Sequence, residues 1–359
     1  RKYKLDSFAA DLLRILLSLQ VEGWGVKSPE RIKIFKVSGS LTNSVFFVSH
    51  PDAPTLLLRI YGPSSGSLIS RVHELHTLHV LSSRYGIGPR MFGTFENGRV
   101  EEYFESEALT GEEMREAETS RWIGMRMAEL HRVDVKSADL DQGVGGDSVR
   151  KNVRRWLSAA REVVRIAQEK GGEHARRLER LDLDRFEVEW ETYWTRLLEH
   201  ERKHGRSARV FAHNDTQYGN LLRLKKLGAG EPPHHKIIVV DFEYAAVNAA
   251  AFDIANHFHE WCADYHSATP HLLQPARYPS EDQRRNFYRG YLGGHASERS
   301  LDALETSVQL WSAASHAQWA VWGVVQARES VEAGVDGEFD YIGYAASRMG
   351  LFRGSVHNQ

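Results

Sequence analysis

The apolar run Ile237–Val240 ends on an acid, Asp241, and about twenty residues upstream lies a second polar cluster, HNDTQYGN, spanning His213 to Asn220. A short apolar run bounded by polar residues reads as a buried strand. The intervening Gly228–His235, GAGEPPHH, reads as an exposed hairpin loop. The chain must therefore fold so that a polar loop and a strand end, joined by a hairpin, deliver their side chains to one place. Ordinary loop polarity accounts for either cluster alone, but poorly for both in this order.

The spacing has a chemical reason. Asp215 and Asn220 are five residues apart. That is the separation of the Asp that accepts a hydroxyl proton and the Asn that holds Mg²⁺ in the protein-kinase catalytic loop. Asp241-Phe242 resembles the start of the metal-binding Asp-Phe-Gly, with Glu243 in place of Gly. Mg²⁺ takes oxygen ligands and shares them with nucleotide phosphates. The expectation is a phosphoryl-transfer site with Asp215 as base and Asn220 and Asp241 as metal ligands.

At 359 residues the chain exceeds the usual single core. It is expected to divide into an N-lobe, 1–104, that covers the nucleotide and a C-lobe, 105–359, that carries the catalytic loop, metal site and substrate pocket. A net charge of −2, from 46 basic and 48 acidic residues, argues against a nucleic-acid binder. Cys262 is the single cysteine, so an intramolecular disulfide is excluded and a reducing compartment fits. There is no apolar run long enough for a membrane span and no signal-like start, so a cytoplasmic protein is expected. The chain opens on Arg1 rather than Met, which leaves room for a preceding segment.

The first third alternates helix and strand. Asp6–Leu19 is amphipathic, Lys33–Val48 reads as a hairpin and Thr55–Tyr61 as a strand. Ile69–Arg84 is predicted as a helix with Leu75, Leu78 and Leu81 on one face. Met91–Phe95 and Arg99–Phe104 are strands around Glu96-Asn97-Gly98. Beyond Phe104 the pattern is helical: Glu112–Val133, Arg150–Glu169 and Phe186–His204, then an aromatic-rich helical remainder from Phe252. The predicted class is α+β, a bilobal protein-kinase-like fold with a small sheet-rich N-lobe and a larger, mainly helical C-lobe.

Val37–Val45 supplies Ser, Thr, Asn and backbone N–H groups of the kind that cradle phosphates. Arg59 stands mid-strand among apolar neighbours, where a charge needs a partner; Glu74 on the next helix is the expected one. Glu101, Glu102 and Tyr103 are placed as the hinge whose backbone would bind adenine.

FAHNDTQYGNLLR followed by VVDFEYAAVNAAAFDIANHFHEW is similar to the choline/ethanolamine kinases, part of the kinase-like superfamily that includes aminoglycoside phosphotransferases. The likeness runs from about Val37 to Met349. QYGNLL, WCADY and YPSEDQRRNFYRGYL resemble fungal choline kinases more than ethanolamine kinases. DFEYAAVNAAA lacks the second Tyr and the Tyr-Arg of many animal relatives, and Glu107 stands where those relatives carry a basic residue. The resemblance implies transfer of the ATP γ-phosphoryl to choline, on the way to phosphatidylcholine, with Mg²⁺ as cofactor and a homodimer as the assembly. It adds Gln217 near the metal and phosphates, and Ser40, Leu41, Thr42, Asn43 and Arg59 on the ATP phosphates.

A quaternary ammonium has no N–H to donate and is held by aromatic faces; choline is the standard example of this interaction. Trp319 and Trp322 are three apart and share a helix face. Tyr244 follows the Asp241 motif. The resemblance adds Tyr265, Phe339 and Tyr344, and Glu260 supplies negative charge. Trp190, Trp261 and Trp311 are read as packing residues.

Three groups are set aside. His73, Glu74, His76 and His79 lack metal-binding spacing. Asp253 is read as a brace for the catalytic loop. The basic stretch Arg150–Arg180 is a solvated helix, with docking to anionic membrane as its alternative. The competing functions are ethanolamine kinase, an aminoglycoside-type small-molecule kinase, and an inactive kinase-like binding module.

Overall fold

The structure is a computed structural model that describes residues 6–25, 28–37, 43–61, 70–140 and 146–357. The chain divides into two compact units. The first comprises Arg1–Glu107, Leu224–Lys226 and Val240–Glu243; the second holds Ala108–Arg223, Leu227–Val239 and Tyr244–Gln359.

The first unit contains α1 (Asp6–Ser18), β1 (Lys33–Val37), β2 (Asn43–His50), β3 (Ala53–Tyr61), α2 (Arg71–Val80), β4 (Met91–Phe95) and β5 (Gly98–Glu102). Its strands form one antiparallel sheet in the order β1-β2-β3-β5-β4. The period of two decides which face is covered. Phe46 and Val48 of β2 stand opposite Leu58 and Leu56 of β3, and these join Val100 in one buried layer. Leu12, Leu13 and Leu16 of α1, at helical spacing, pack on that layer together with Trp24.

The predicted helix at 69–84 is shorter and changes pitch. α2 starts at the Ser70 cap and runs to Val80; a π-helical turn, Leu81–Tyr85, follows and stops at Gly86, whose φ is 61°. The residues buried on it are Glu74, Thr77, Leu78, Val80 and Leu81, so a carboxylate replaces Leu75 on the inner face.

A short strand, β6 (Ser106–Ala108), leads into the helical part of the chain. There follow α3 (Ala117–Leu130), α4 (Val135–Ala138), α5 (Ser148–Lys170), α6 (Gly172–Glu179), α7 (Leu183–His204), β7 (Arg209–Ala212), β8 (Leu221–Leu224), β9 (Ile237–Val239), β10 (Ala246–Ala249), α8 (Ala250–Glu260), α9 (Glu281–Leu292), α10 (Glu298–Gln326), α11 (Arg328–Ala333) and α12 (Tyr341–His357). The helix expected from Glu112 is broken: a 3₁₀ turn ends at Glu116, whose ψ of 137° lies outside the helical region, and α3 begins after it.

α3 and α9 cross closely because Gly124 and Gly290 meet there. A Cβ on Gly124 would lie 2.6 Å from the Phe287 carbonyl oxygen, and one on Gly290 2.2 Å from that of Arg121. α10 is the central helix; its Trp311, Ala313, Ala314, Ala317, Ala320 and Val321 are fully buried. Trp190, Trp261 and Trp311 are core residues, as the sequence suggests. β7 pairs antiparallel with β10, and β8 with β9. The β8–β9 connection is less exposed than expected: it carries a 3₁₀ turn, Pro233–Lys236, whose two histidines are partly buried. Among the described residues no helix is long and apolar enough to cross a membrane.

Candidate active site

In the second unit the polar cluster follows β7. His213 and Asn214 are fully buried, and Asn214 has φ +65°, a left-handed conformation that Asn tolerates better than most residues. A strained turn persists only when its surroundings over-determine it, and here they do. Asp253, in the first turn of α8, accepts from the backbone N–H of His213 at 2.9 Å and of Asn214 at 2.7 Å, and pairs with His131 Nε2 at 2.9 Å. Burial alone would raise its carboxyl, but His131, His213 and the backbone donor outweigh that and hold it below the usual carboxylate range. Asn214 Nδ2 donates to the Tyr244 carbonyl at 2.9 Å, Asn248 donates to Asn214 Oδ1 at 3.1 Å, and Asn256 donates to the Asn214 carbonyl at 3.1 Å. His257 Nδ1 lies 2.9 Å from the Thr216 carbonyl, which can only accept, so this nitrogen carries the hydrogen; Nε2 then accepts from Trp261. α8 is thus the strap that fixes the loop, and Asp253 acts as the sequence suggests.

The loop presents Asp215 half-exposed. Asn220 Nδ2 donates to Asp215 Oδ2 at 3.0 Å and to its carbonyl at 2.9 Å. Asn220 Oδ1 receives Gln217 Nε2 at 3.3 Å, while Gln217 Oε1 takes the Gly219 N–H at 2.6 Å. Gln217 thus lies beside Asn220, the expected metal ligand. Its oxygen caps a backbone turn and its amide aims Asn220.

The aromatic candidates lie in the same unit, and most of them form one continuous set. Trp319 and Trp322 of α10 have centroids 5.3 Å apart at 78°. Tyr244 lies 5.4 Å from Trp319, and its hydroxyl accepts Trp322 Nε1 at 2.8 Å. Tyr344 of α12 lies 5.9 Å from Trp322 and 5.9 Å from Phe339. Trp319 Nε1 donates to Asn256 at 2.7 Å. The polar edges of both indoles are thus satisfied within the protein.

Tyr265 and Glu260 stand beside this set. Tyr265 donates to Glu260 at 2.7 Å, and its ring stands 5.6 Å from Tyr218. The negative charge expected at Glu260 is paired. Arg348, fully buried on α12, bonds it at 2.6 Å and also donates to the Tyr344 hydroxyl at 3.1 Å. Burial raises the Tyr344 phenol; Arg348 opposes the rise, and the Asp215 carboxylate is close enough to add to it. Asn256 ties the loop to the aromatic set, since it donates to the Asn214 carbonyl and accepts from Trp319 Nε1.

In the first unit Arg59 of β3 is 7% exposed and so is buried rather than turned to solvent. Its partners differ from the expected one: it bonds Asp241 at 3.3 Å and lies 3.8 Å from Glu101. Glu74 instead holds Arg99 of β5 and Arg71 of its own helix, each at 2.6 Å. Arg99 also bonds Glu101. Phe242 fits against Gly88, whose φ is +77° and where a Cβ would come within 2.6 Å of the ring. Asp241 has φ +67°.

Oxygens of Glu74, Asp241 and Glu243 all lie within 4.8 Å of one another. Burial and the neighbouring Asp241 and Glu74 push the Glu243 carboxyl up to about 8, and its buried Oε2 has no hydrogen-bond partner among the described residues. A crowded set of carboxylates with an orphaned oxygen fits a hard divalent cation.

The hinge expectation changes at Glu102. Its N–H is bonded to the Arg90 carbonyl at 2.8 Å and its carboxylate accepts the Arg90 N–H at 3.1 Å, so that donor is committed to the sheet. Tyr103 lies past β5 with its ring against Phe47 at 4.9 Å. Ser40, Leu41 and Thr42 lie outside the described residues, as does the side chain of Asn43. Arg348, Asn256 and Glu243 are the site residues that sequence reasoning missed. The usable signal for Arg348 was a cation in the otherwise small and apolar run AASRMG.

Residues 34–353 match the family model described as choline/ethanolamine kinase. The chain is 32% identical over 409 residues to the choline kinase of Schizosaccharomyces pombe, covering 96% of this chain and 88% of that one. It is 31% identical to the human choline/ethanolamine kinase, covering 92% of this chain and 81% of that one. Its fold resembles that of a crystal structure of choline kinase from Cryptosporidium parvum, with a TM-score of 0.77 at 24% identity over 97% and 95% of the two chains.

Proposed function

The chain belongs to the choline/ethanolamine kinase family, and from that premise we propose that it transfers the γ-phosphoryl of ATP to the hydroxyl of choline, giving phosphocholine and ADP. The observation that carries the reading is a partly exposed carboxylate, Asp215, on a buttressed loop that Asn256 ties to the aromatic set.

In this reading Asp215 accepts the proton of the substrate hydroxyl, and the Asn220 amide on its Oδ2 orients it. Asn220 and Asp241 are the proposed magnesium ligands, with Glu243 as a further oxygen donor. Magnesium, when bound, would neutralise charge on the nucleotide phosphates. Arg59 is held cationic despite burial, by Asp241 and Glu101, and is proposed to face the ATP phosphates. The faces of Tyr244, Trp319, Trp322, Phe339 and Tyr344 are proposed to hold the trimethylammonium group, with Tyr265 at the edge of the set. The pairing of Glu260 with Arg348 reduces any long-range pull on the cation and assigns that pair to shaping the wall.

The energetics favour choline over ethanolamine. Each well-placed ring contributes roughly 0.5–2 kcal/mol to holding a cation. Three buried methyl groups add about 2 kcal/mol. A primary ammonium facing rings would leave donors unmatched, at a cost of about 1–3 kcal/mol. Steady-state phosphotransfer from MgATP, with both alcohols assayed side by side, tests the proposal. At least a tenfold higher kcat/KM for choline is expected. Equal or reversed values would retain the catalytic residues and reject the cage; no turnover with either would reject the kinase reading.

A further inference from the structure

The catalytic reading leaves unused a group of residues at the β8–β9 connection. Glu129 lies in the last turn of α3, and His234 and His235 in the 3₁₀ turn Pro233–Lys236. All belong to the second unit. Nε2 of His234 lies 2.6 Å from Glu129 Oε1, and Nε2 of His235 lies 3.2 Å from the same oxygen. The other nitrogen of His235, Nδ1, lies 2.6 Å from Glu231 Oε2. The other oxygen of Glu129 is held by Arg126. The side chains are 12%, 32% and 27% exposed for His234, His235 and Glu129, so the cluster is partly open to solvent.

We propose that Glu129, His234 and His235 form a binding site for a borderline divalent metal ion of the zinc type, which fastens the β8–β9 connection to α3. The argument rests on hydrogen counting. An ionised carboxylate only accepts. Without a metal, His235 must carry hydrogens on both nitrogens to serve two different carboxylates, and Glu129 Oε1 must accept from both imidazoles at once. Replacing the protons on the two Nε2 atoms with one cation satisfies every partner. Both Nε2 lone pairs and Glu129 Oε1 then point at the ion, and His235 keeps its Nδ1–H on Glu231. A metal-bound histidine whose second nitrogen is held by a carboxylate is the usual outer arrangement of such sites.

Two imidazoles and one carboxylate are a common zinc set, with a fourth position left for water. The three donor atoms already lie within 4.8 Å of one another. Tetrahedral ligands at zinc distances stand about 3.3 Å apart, so the 3.2 Å pair is in place and the 2.6 Å pair must open by well under an ångström. Burial would raise the Glu129 carboxyl, but Arg126 and the imidazoles prevail and keep it anionic. Pro232 and Pro233 fix φ just ahead of the histidines, which limits how far the pair can stray when empty. Two nitrogen donors select against magnesium, so the ion of the catalytic reaction does not compete.

The test is calorimetric titration of the full, untagged chain with zinc chloride in excess magnesium. One saturable site of micromolar or tighter affinity is expected, at least tenfold weaker in Glu129→Gln and in His234→Ala. Glu231→Gln should weaken it by about tenfold, the usual effect of removing an outer partner. His200→Ala should change nothing; it breaks another pair of histidines, His200 and His204 on α7, whose rings lie 4.4 Å apart. Cobalt absorption of the unmodified chain gives a readout that needs no variant to fold: a four-coordinate spectrum supports the site, and a six-coordinate aqua spectrum overturns it. Absence of saturable zinc binding, or equal affinity in the unmodified chain and both ligand variants, reduces the cluster to an ion-pair network. Neither result bears on phosphotransfer.

Discussion

Asp215 does its proposed work from a position it does not itself stabilise. The loop is held by Asp253, Asn214, Asn248 and Asn256, while the Asp215 carboxylate is half-exposed and bonded to Asn220. Asp215→Ala is therefore expected to lower kcat by about 10³-fold or more with little change in melting temperature, measured by steady-state assay and by thermal denaturation. A kcat near that of the unmodified chain would remove the base assignment. Trp322→Phe keeps a smaller face and loses the bond to the Tyr244 hydroxyl. It is expected to raise the KM for choline by roughly three- to tenfold, in line with the loss of part of one ring's contribution, and to leave the KM for ATP unchanged. An equal rise in both would point to damaged packing. The proposed roles of Asp215, Asn220 and Asp241 are drawn from the sequence, where the chemistry asks for those residue types at that spacing; what the structure adds is the bond from Asn220 to Asp215. The partners of Arg59 and Glu74 were not legible, because adjacent strands offered Arg99 and Glu101 at similar reach and only the register chooses among them.

At the scale of elements, α8 and α12 are joined inside the second unit by Glu260 and Arg348, both almost wholly buried. Removing one member of a buried pair leaves the other charge uncompensated, at about 3–5 kcal/mol. Arg348→Met should destabilise the chain by that order in urea unfolding, and adding Glu260→Gln should recover much of the loss. Additive losses in the double variant would show that the two side chains act independently. Long amphipathic helices such as α5 and α7 were evident from periodicity, within a few residues at their ends. β7 and β10 were not, since four-residue strands such as Arg209–Ala212 and Ala246–Ala249 carry too few periods to stand out. The pitch change after Val80 was also hidden: the apolar spacing of Leu75, Leu78 and Leu81 suits a regular helix, and the π turn shows only in three dimensions.

For the whole molecule, the α+β class followed from the change of pattern after Phe104, and the structure has a small sheet unit and a larger helical one. Fold and chemistry agree in demanding a dry interior around α8, and this has a cost in acid. His257 is held neutral by burial, down to about 4, and His259 to about 3. Both folded-state values are depressed below the ordinary 6.5, so the unfolded chain binds more protons as pH falls. The stability tied to their neutrality is complete above pH 6.5 and is lost progressively below it, by about 2 kcal/mol per histidine between pH 7 and pH 5. Urea midpoints over that range should fall accordingly. A midpoint constant from pH 7 to pH 5 would mean that these rings find protons without unfolding.

The rings of Tyr244, Trp319, Trp322 and Tyr344 meet edge to face at 73–78° or are tied by their polar edges to neighbours. Each ring blocks the rotation of the next, so the wall is preorganised. A guest arriving there would lose its own freedom but would not have to quench that of its host. The entropy of arranging these side chains is surrendered once, when the chain folds, and not again at each turnover.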